Sequence, residues 1–258
     1  MSLVDGIEVR THDGVMMLTI DRPDVLNALD PPAHRALNDA FDLFATDDSL
    51  LVAVITGSGG KAFCVGSDLK VRAEMGGDDM PEGGFAGLTE RFDLYKPVIA
   101  AVNGHAIGGG LEIVLACDLA IAVPEAKFGL PEVKVGLAAS GGLHRLARLL
   151  PMKQAMEIAL SGSLFTAEQA LRFGLVNQVV PAGDLNRTVA AWVTELKDGA
   201  PLALQASKQM MLDGLSKPSL EAAFGASYPI QEKVLASDDA VEGSSAFLEK
   251  RKPVWTGR

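Results

Sequence analysis

Blocks of apolar and glycine-rich sequence alternate along the first half of the chain. Three runs are apolar or β-branched at every position, as in strands that are covered on both faces: Leu50–Thr56, Pro97–Val102 and Leu119–Val123. Glycine-rich turns follow the first two runs, and an apolar helical stretch then continues to about Cys117. This recurrence of strand, glycine turn and helix predicts an α/β fold with helices packed on sheets.

Weaker patterns accompany these runs. Val15–Asp21 predicts a short strand, and Pro31 and Pro32 then open a stretch whose apolar residues recur every three or four positions, as in a helix. Met75–Gly87 is rich in glycine and acidic residues and predicts a mobile surface loop.

The pattern changes after Pro151, where helical periodicity dominates. The predicted helices are Met156–Leu160, Ala167–Leu171, Arg187–Leu196, Ala203–Leu215 and Leu220–Leu235. The last third is therefore expected to be a helical extension of the core.

The composition favours one large, folded domain. The chain has 258 residues, is 48% apolar and carries a net charge of −10. The apolar content excludes intrinsic disorder, and the negative charge opposes bulk affinity for nucleic acid. Asp118 interrupts the longest apolar stretch, well short of the roughly 20 residues that a membrane span needs. Met1–Gly6 lacks the features of a secretory signal, so we expect a soluble, cytoplasmic protein.

Cysteines and histidines give little sign of a metal site. Cys64 and Cys117 lie in apolar stretches without a second thiol or a histidine at ligand spacing, so no metal site and no disulfide framework is expected. His105 stands beside a glycine cluster, where we expect a structural role. The remaining histidines are expected in surface or packing roles: His12, His34 and His144.

The first glycine motif, Gly57–Ala62, follows a strand and matches a dinucleotide-binding fingerprint. That fingerprint requires a helix to begin within the glycines. The residues that follow, Phe63–Ser67, instead form a second β-like run. The pattern therefore favours a glycine hairpin between two strands.

The second glycine motif, Asn103–Glu112, lies between a buried strand and an apolar helix. Consecutive glycines, Gly108–Gly110, allow a ligand to approach the backbone, and the N–H groups of a helix N-terminus can bind a developing oxyanion. Glu112 carries the only formal charge of this helical stretch before Asp118. A catalytic carboxylate and a first-turn glutamate that interacts favourably with the helix dipole both remain open.

Glu132 completes a possible pair of carboxylates. Pro131 suits the first turn of a short helix and would place Glu132 near its positive end. Alone, Glu132 is typical of a surface glutamate. Together with Glu112, it indicates acid/base chemistry in which two carboxylates share one proton.

Five motifs occur in order along the chain. They are Asp21–Pro23 with Leu26–Leu29, Phe63–Leu69, Asn103–Glu112, Phe128–Glu132 and Phe247–Pro253. Together they resemble the motifs of the enoyl-CoA hydratase/isomerase (crotonase) superfamily. The resemblance implies a crotonase-like spiral of ββα units, with residues 1–195 as the α/β core and residues 196–258 as a C-terminal helical region that mediates trimer formation.

The resemblance also implies the chemistry. The substrate would be an acyl-CoA thioester, with the backbone N–H groups of Ser67 and Gly109 as its oxyanion hole. Glu112 would activate water for attack at the β-carbon, and Glu132 would protonate the α-carbon. Coenzyme A would be part of the substrate, so no separate cofactor and no metal is implied.

Further substrate contacts follow from the same resemblance. The residues expected to contact the acyl-CoA are Ala28, Ser67, Asp68, Leu69, Lys70 and Gly108, joined by Phe247 and Lys250 from a neighbouring subunit. For Lys250, a solvated cationic tail is the alternative. The expected assembly is a homotrimer or a dimer of trimers, without nucleic-acid or membrane partners.

One loop departs from the hydratase pattern. Gly136–Gly142 carries Ser140 where many hydratases have glycine, and the loop is one residue shorter than the common form. Since this loop helps to place the attacking water in hydratases, three functions stay open. They are enoyl-CoA hydration, another acyl-CoA reaction such as double-bond isomerisation, and acyl-CoA binding without catalysis.

Overall fold

The computed structural model describes residues 2–76 and 79–258 of the chain. Within them, contacts group the residues into two compact units. One unit contains the residues up to Arg91 together with Val98–Ala191, and the other contains Phe92–Pro97 with Trp192–Arg258. The functional division into 1–195 and 196–258 stays a prediction.

Two sheets form the first unit. The strands are β1 (Ser2–Val4), β2 (Ile7–His12), β3 (Val15–Ile20), β4 (Val52–Gly57), β5 (Ala62–Cys64), β6 (Val98–Val102), β7 (His105–Ile107), β8 (Leu119–Ala122), β9 (Lys127–Gly129), β10 (Phe165–Thr166) and β11 (Gln178–Val179). The larger sheet has the order β1-β2-β3-β4-β6-β8-β11, and the smaller sheet has the order β10-β9-β7-β5.

The helices lie between the strands and, from Leu185 onward, after them. They are α1 (Pro31–Thr46), α2 (Leu69–Met75), α3 (Gly109–Ala116), α4 (Leu143–Leu149), α5 (Met152–Ser161), α6 (Ala167–Phe173), α7 (Leu185–Lys197), α8 (Pro201–Gly214), α9 (Leu220–Phe224), α10 (Pro229–Leu235) and α11 (Asp238–Glu249). Short 3-10 helices span Pro23–Val25, Phe85–Gly87, Pro131–Val135 and Ala182–Asp184. In the described part of the chain, none of the helices has the length and apolar character needed to cross a membrane.

The continuously apolar runs form the centre of the larger sheet, as predicted. Strands β4, β6 and β8 are parallel neighbours, with Ile55 paired with Ala100 and Ala101 paired with Ile121. All five residues of β6 are buried. An apolar residue at every position is expected for a parallel strand that is covered on both faces.

The glycine turn after β4 differs from the hairpin predicted for it. Strand β4 belongs to the larger sheet and β5 to the smaller one, so the turn Gly57–Gly60 carries the chain from one sheet to the other. The β-like run predicted over Phe63–Ser67 is a strand only at its start, within β5, and this strand pairs with β7 and not with β4 as a hairpin would require. A strand follows the glycines, so the turn lacks the helix that a dinucleotide site requires.

The prediction of a surface loop over Met75–Gly87 is also wrong for part of this segment, which is buried. Residues 83–89 are buried, and the N–H group of Gly83 donates to Oδ1 of Asn38 on α1 at 3.1 Å. Positive φ angles at Gly84, Ala86 and Gly87 let this segment turn tightly against the helix. Gly77 and Asp78, which the prediction included, lie outside the described residues.

The helices of the second unit were predicted with two errors. The single helix predicted over Leu220–Leu235 is two helices, because α9 ends before Gly225 and Pro229 begins α10. Helix α11 was not predicted. Its N-cap is Ser237, whose side chain accepts a hydrogen bond from the Ala240 N–H group at 3.2 Å.

Candidate active site

Three predicted site residues follow the carboxyl ends of three adjacent strands. Strands β5, β7 and β9 are parallel neighbours in the smaller sheet. Ser67 follows β5, Gly109 follows β7, and Glu132 follows β9. Because parallel strands end at the same edge of a sheet, residues distant in sequence come together there.

The first candidate oxyanion donor, Ser67, is held by a crossing segment. The Leu29 N–H group donates to the Gly66 carbonyl at 2.9 Å, and the Asp68 N–H group donates to the Leu29 carbonyl at 2.8 Å. These bonds fix the backbone on both sides of Ser67. The N–H group of Ser67 has no acceptor among the described residues.

The second candidate donor, Gly109, begins α3. A Cβ at Gly66, where φ is +96°, would lie 3.2 Å from the Gly109 nitrogen, so the Ser67 segment and the start of α3 are in close contact. Like Ser67, Gly109 has an N–H group without an acceptor in the described part of the chain. Two free donors, one of them at a helix N-terminus, suit the binding of a developing negative charge.

Helix α3 is buried over Gly109–Leu115. Gly110 packs directly against the Cys64 carbonyl, and Gly109 packs against the ring of Phe85. Any side chain at either glycine would collide with these groups. The glycines therefore bring the helix N-terminus against β5 and also keep the path to its N–H groups free of side chains.

Glu112 lies in the first turn of α3 and is only 5% exposed. Burial, followed by the charge of Glu132, raises its pKa to about 7, while the N–H groups of Gly142 and Gly141 and the charge of Arg145 oppose this shift. Its Oε1 atom is buried without a hydrogen-bond partner among the described residues. Glu112 can therefore hold or release a proton near neutral pH.

Glu132 lies in the 3-10 helix Pro131–Val135 and is partly buried. Burial raises its pKa as well. A Cβ at Gly108 would lie 2.9 Å from Oε1 of Glu132, so this carboxylate occupies the space next to the glycine that precedes α3. Its Oε2 atom, like Oε1 of Glu112, is buried without a partner in the described structure.

The loop that departs from the hydratase pattern contacts Glu112 through its glycines. A Cβ at Gly141 would lie 3.1 Å from Oε2 of Glu112, and a Cβ at Gly142 would lie 3.0 Å from its Cγ. Ser140 is exposed, and its N–H group donates to the Ala138 carbonyl at 2.9 Å. The serine therefore leaves both glycine contacts with the carboxylate in place.

Two residues near Glu112 were not identified from the sequence. Arg145 on α4 donates through Nη1 to the carbonyl of Thr89 at 2.5 Å and to that of Gly141 at 3.4 Å. The only sequence signal for Arg145 is its position one helical turn after the glycines of the loop. Thr89 follows a glycine-rich segment that was expected to be a surface loop, so nothing in the sequence marked it.

The predicted coenzyme A contacts near Ser67 lie beside a cluster of paired charges. Asp68 caps α2, since its Oδ1 accepts the N–H groups of Lys70 and Val71, and it lies 3.8 Å from Nη2 of Arg22. Arg22 also donates to the carbonyl of Ala28 at 2.7 Å. The bridge between Leu29 and Ser67 brings these two segments side by side, while Leu69 and Lys70 are exposed.

Phe247 and Lys250 lie at the end of α11 in the second unit. Phe247 is 83% exposed. Lys250 closes the helix with a φ of +56°, and its N–H group donates to the Phe247 carbonyl at 3.2 Å. Both side chains are accessible, and their contact with a ligand of a neighbouring subunit stays a prediction.

The histidines and cysteines have local roles. Nδ1 of His105 accepts a hydrogen bond from the Lys127 N–H group at 3.2 Å, which ties β7 to β9. Nδ1 of His34 accepts from the Ala86 N–H group at 3.0 Å, and burial lowers the pKa of His34 to about 4. Cys64 is a buried thiol whose pKa burial raises to about 12. Among the described residues, no group of three His, Cys, Asp or Glu side chains could hold a metal ion.

Comparisons with known proteins identify the family. The sequence profile of the enoyl-CoA hydratase/isomerase family matches residues 10–258. Carnitinyl-CoA dehydratase of Salmonella typhi is 43% identical over 263 aligned residues, which cover 98% of this chain and 99% of that protein. A crystal structure of enoyl-CoA hydratase from Mycobacterium tuberculosis aligns with a TM-score of 0.91 and 40% identity, over 98% of this chain and all of that one.

A more distant relative has the same fold. Enoyl-CoA hydratase from Bacillus anthracis aligns with a TM-score of 0.88 at 30% identity, over 98% of this chain and 100% of that chain. The crotonase-like fold class predicted from the motifs is thereby confirmed. The chain belongs to the enoyl-CoA hydratase/isomerase (crotonase) family.

Proposed function

We propose that this protein is an enoyl-CoA hydratase, which adds water reversibly to a 2-enoyl-CoA thioester to give a 3-hydroxyacyl-CoA. The observation that supports this most strongly is the pair of carboxylates, Glu112 and Glu132, each with a buried oxygen that has no partner in the described structure. They lie next to the start of α3, where Gly109 has its free N–H group.

In the proposed mechanism, the N–H groups of Ser67 and Gly109 bind the thioester oxygen. Glu112 accepts a proton from water, and the resulting hydroxide bonds to the β-carbon of the acyl chain. The electron pair of the double bond moves onto the thioester, and the two N–H groups stabilise the enolate that forms. Glu132 then donates its proton to the α-carbon.

The reverse reaction uses the same groups with their roles exchanged. Glu132 removes the α-proton, and Glu112 protonates the departing hydroxyl group. A pKa near 7 suits Glu112 for both directions, because acid/base catalysis is most efficient when the pKa of the group lies near the working pH. The raised pKa of Glu132 favours the protonated state that hydration requires.

Coenzyme A is part of this substrate, and the proposal requires no separate cofactor. Ala28, Gly108 and the segment Ser67–Lys70 would contact its pantetheine and adenine portions, with Lys70 near the nucleotide phosphates. Phe247 and Lys250 would contact the ligand of a neighbouring subunit in a homotrimer or a dimer of trimers.

The names of similar proteins suggest a second substrate, carnitinyl-CoA, for direct assay. Proteins 43% identical to this chain over 98% of its length are named carnitinyl-CoA dehydratases. Dehydration of a 3-hydroxyacyl-CoA is the reverse of the proposed hydration and would use the same two glutamates. Carnitinyl-CoA and its dehydration product therefore belong in the substrate panel.

The test is turnover across a short series of 2-enoyl-CoA thioesters, beginning with crotonyl-CoA. The protein should remove the conjugated absorbance of at least one member. Glu112→Gln and Glu132→Gln should each lower kcat by roughly 10²- to 10⁴-fold, the usual contribution of a positioned acid or base. Glu125→Gln, at an exposed position after β8, is the control and should retain full activity.

The outcomes separate the remaining functions. If Glu112→Gln left turnover intact, double-bond isomerisation would replace hydration, since that reaction often needs only the counterpart of Glu132. Tight binding of acyl-CoA without turnover of any thioester would instead indicate a non-catalytic binding protein.

A further inference from the structure

Thr89 carries a hydroxyl group that the protein leaves unused. The residue is 1% exposed, and its Oγ1 atom has no hydrogen-bond partner among the described residues. A buried hydroxyl usually has a partner, because leaving it without one forfeits its interaction with water. Such an atom needs an explanation.

The hydroxyl is directed towards the same space as Glu112. A Cβ at Gly141 would lie 3.2 Å from Oγ1 of Thr89 and 3.1 Å from Oε2 of Glu112. Both oxygen atoms therefore face Gly141, which has no side chain to come between them. A small polar group bound beside Gly141 could contact both.

The backbone of Thr89 is fixed on both sides. Its N–H group donates to the Phe85 carbonyl at 3.2 Å, and its carbonyl accepts from Nη1 of Arg145 at 2.5 Å. The same Arg145 atom reaches the Gly141 carbonyl. Arg145 thereby links the Thr89 segment to the loop beside Glu112, and the β-branched side chain has few alternative rotamers. The orientation of the hydroxyl is therefore set by the fold.

We propose that Thr89 is a positioning residue that holds the oxygen atom exchanged with the β-carbon of the acyl chain. This inference rests on the proposed hydratase function. In hydration, the attacking water gives one proton to Glu112 and directs the other to Oγ1 of Thr89, so that a lone pair of the water faces the β-carbon. In dehydration, the Thr89 hydroxyl donates a hydrogen bond to the β-hydroxyl group of the substrate.

Thr89→Val removes the hydroxyl while it keeps the shape of the side chain. The variant should lose about 10- to 100-fold in kcat, because a misplaced reactant has effects of this size. KM should change less than threefold, because the bulk of coenzyme A still binds. Thr89→Ser retains the hydroxyl and should keep most of the activity.

Thermal unfolding distinguishes this role from a structural one. An unsatisfied buried hydroxyl does not stabilise the fold, so Thr89→Val should melt at or above the temperature of the unchanged protein. Ser58 supplies the matched control, because its Oγ is also buried without a partner in the described structure but lies in the turn after β4. Ser58→Ala should leave kcat unchanged.

Three results would overturn the inference. Thr89→Val with unchanged kcat would overturn it and leave the hydratase function standing, provided that Glu112→Gln is inactive. Equal losses in Thr89→Val and Thr89→Ser would show that packing, and not the hydroxyl, matters. If the unchanged protein hydrates no thioester of the panel, the proposed function and this inference fail together.

Discussion

Two clusters of buried or partly buried polar side chains lie close to the predicted ligand contacts, and they differ in whether their polar atoms have hydrogen-bond partners. In the paired cluster, which comprises Arg22, Asn27, Asp30 and Asp68, the charges and the amide have partners inside the protein. In the unpaired cluster, which comprises Thr89, Glu112 and Glu132, each side chain has a buried oxygen without one in the described structure.

The difference indicates what each cluster does. Arg22 forms an ion pair with Asp30 at 2.5 Å and binds the Ala28 carbonyl, so the paired cluster holds the N-terminal motif in its fold. The unpaired cluster gains nothing for stability from its free oxygen atoms, because burial without a partner is costly. A bound substrate or water molecule would supply the missing hydrogen-bond partners.

Breaking the paired cluster should have the largest effect on stability. Arg22→Met removes the ion-pair partner of Asp30, which in the described structure keeps only the hydrogen bond from the Ala33 N–H group, and the side-chain donor to the Ala28 carbonyl. This should lower the free energy of unfolding by roughly 3–4 kcal/mol. Urea denaturation measures this change.

The control for this prediction is an exposed ion pair. Arg10 lies 2.7 Å from Glu8, and its side chain is 58% exposed. Arg10→Met should lower the free energy of unfolding by less than about 1 kcal/mol. Equal effects of the two substitutions would contradict a stabilising role of the paired cluster.

Most residues of the two clusters could be identified from the sequence, but Thr89 could not. One recognisable motif contains Arg22 and Asn27. Glu112 and Glu132 each lie in a motif with distinctive neighbours. Thr89 was missed because its burial depends on residues 83–89 folding onto α1, a long-range contact. Local composition alone indicated a loop at the surface there.

The fold was predictable from the sequence where a hydrophobic pattern is typical of a single structural environment. The buried strands β4, β6 and β8 are continuously apolar because both faces are covered, and the sequence records this directly. The sheet to which β5 belongs was not predictable, since a three-residue strand carries no information about its partner. Pairing of β5 with β7 is what brings Ser67 and Gly109 together.

The unpaired cluster should make stability depend on pH. In the unfolded chain a glutamate loses its proton near pH 4.5, whereas folded Glu112 keeps its proton to about pH 7. Between these values the folded state binds more protons, so stability falls as the pH rises, by about 3 kcal/mol in total. Glu112→Gln should abolish this loss, so its free energy of unfolding should rise relative to the unchanged protein from pH 4.5 to 7.

His34 provides a control of opposite sign. Its pKa falls from 6.5 in the unfolded chain to about 4 in the folded protein, so the unfolded state binds more protons between these values. Stability contributed by His34 is therefore lost as the pH falls from 6.5 to 4. His34→Gln should remove that loss, and the difference curves of the two variants should slope in opposite directions. Parallel curves would contradict the assigned environments.

Filling the space inside the unpaired cluster should affect activity more than stability. Gly141→Ala would place a methyl group 3.1 Å from Oε2 of Glu112 and 3.2 Å from Oγ1 of Thr89, where the exchanged oxygen atom is proposed to bind. We expect a loss of about 100-fold in kcat/KM. The free energy of unfolding should change by less than about 1 kcal/mol, because the Glu112 side chain can shift by a few tenths of an ångström.

Gly183→Ala is the control, because a Cβ there meets no described atom within 4 Å. This substitution should leave both kcat/KM and the free energy of unfolding unchanged. Full activity of Gly141→Ala would mean that the reaction does not use the space between Thr89 and Glu112. The free oxygen atoms of the unpaired cluster would then have to bind a group elsewhere, and their lack of partners would not mark the site of the reaction.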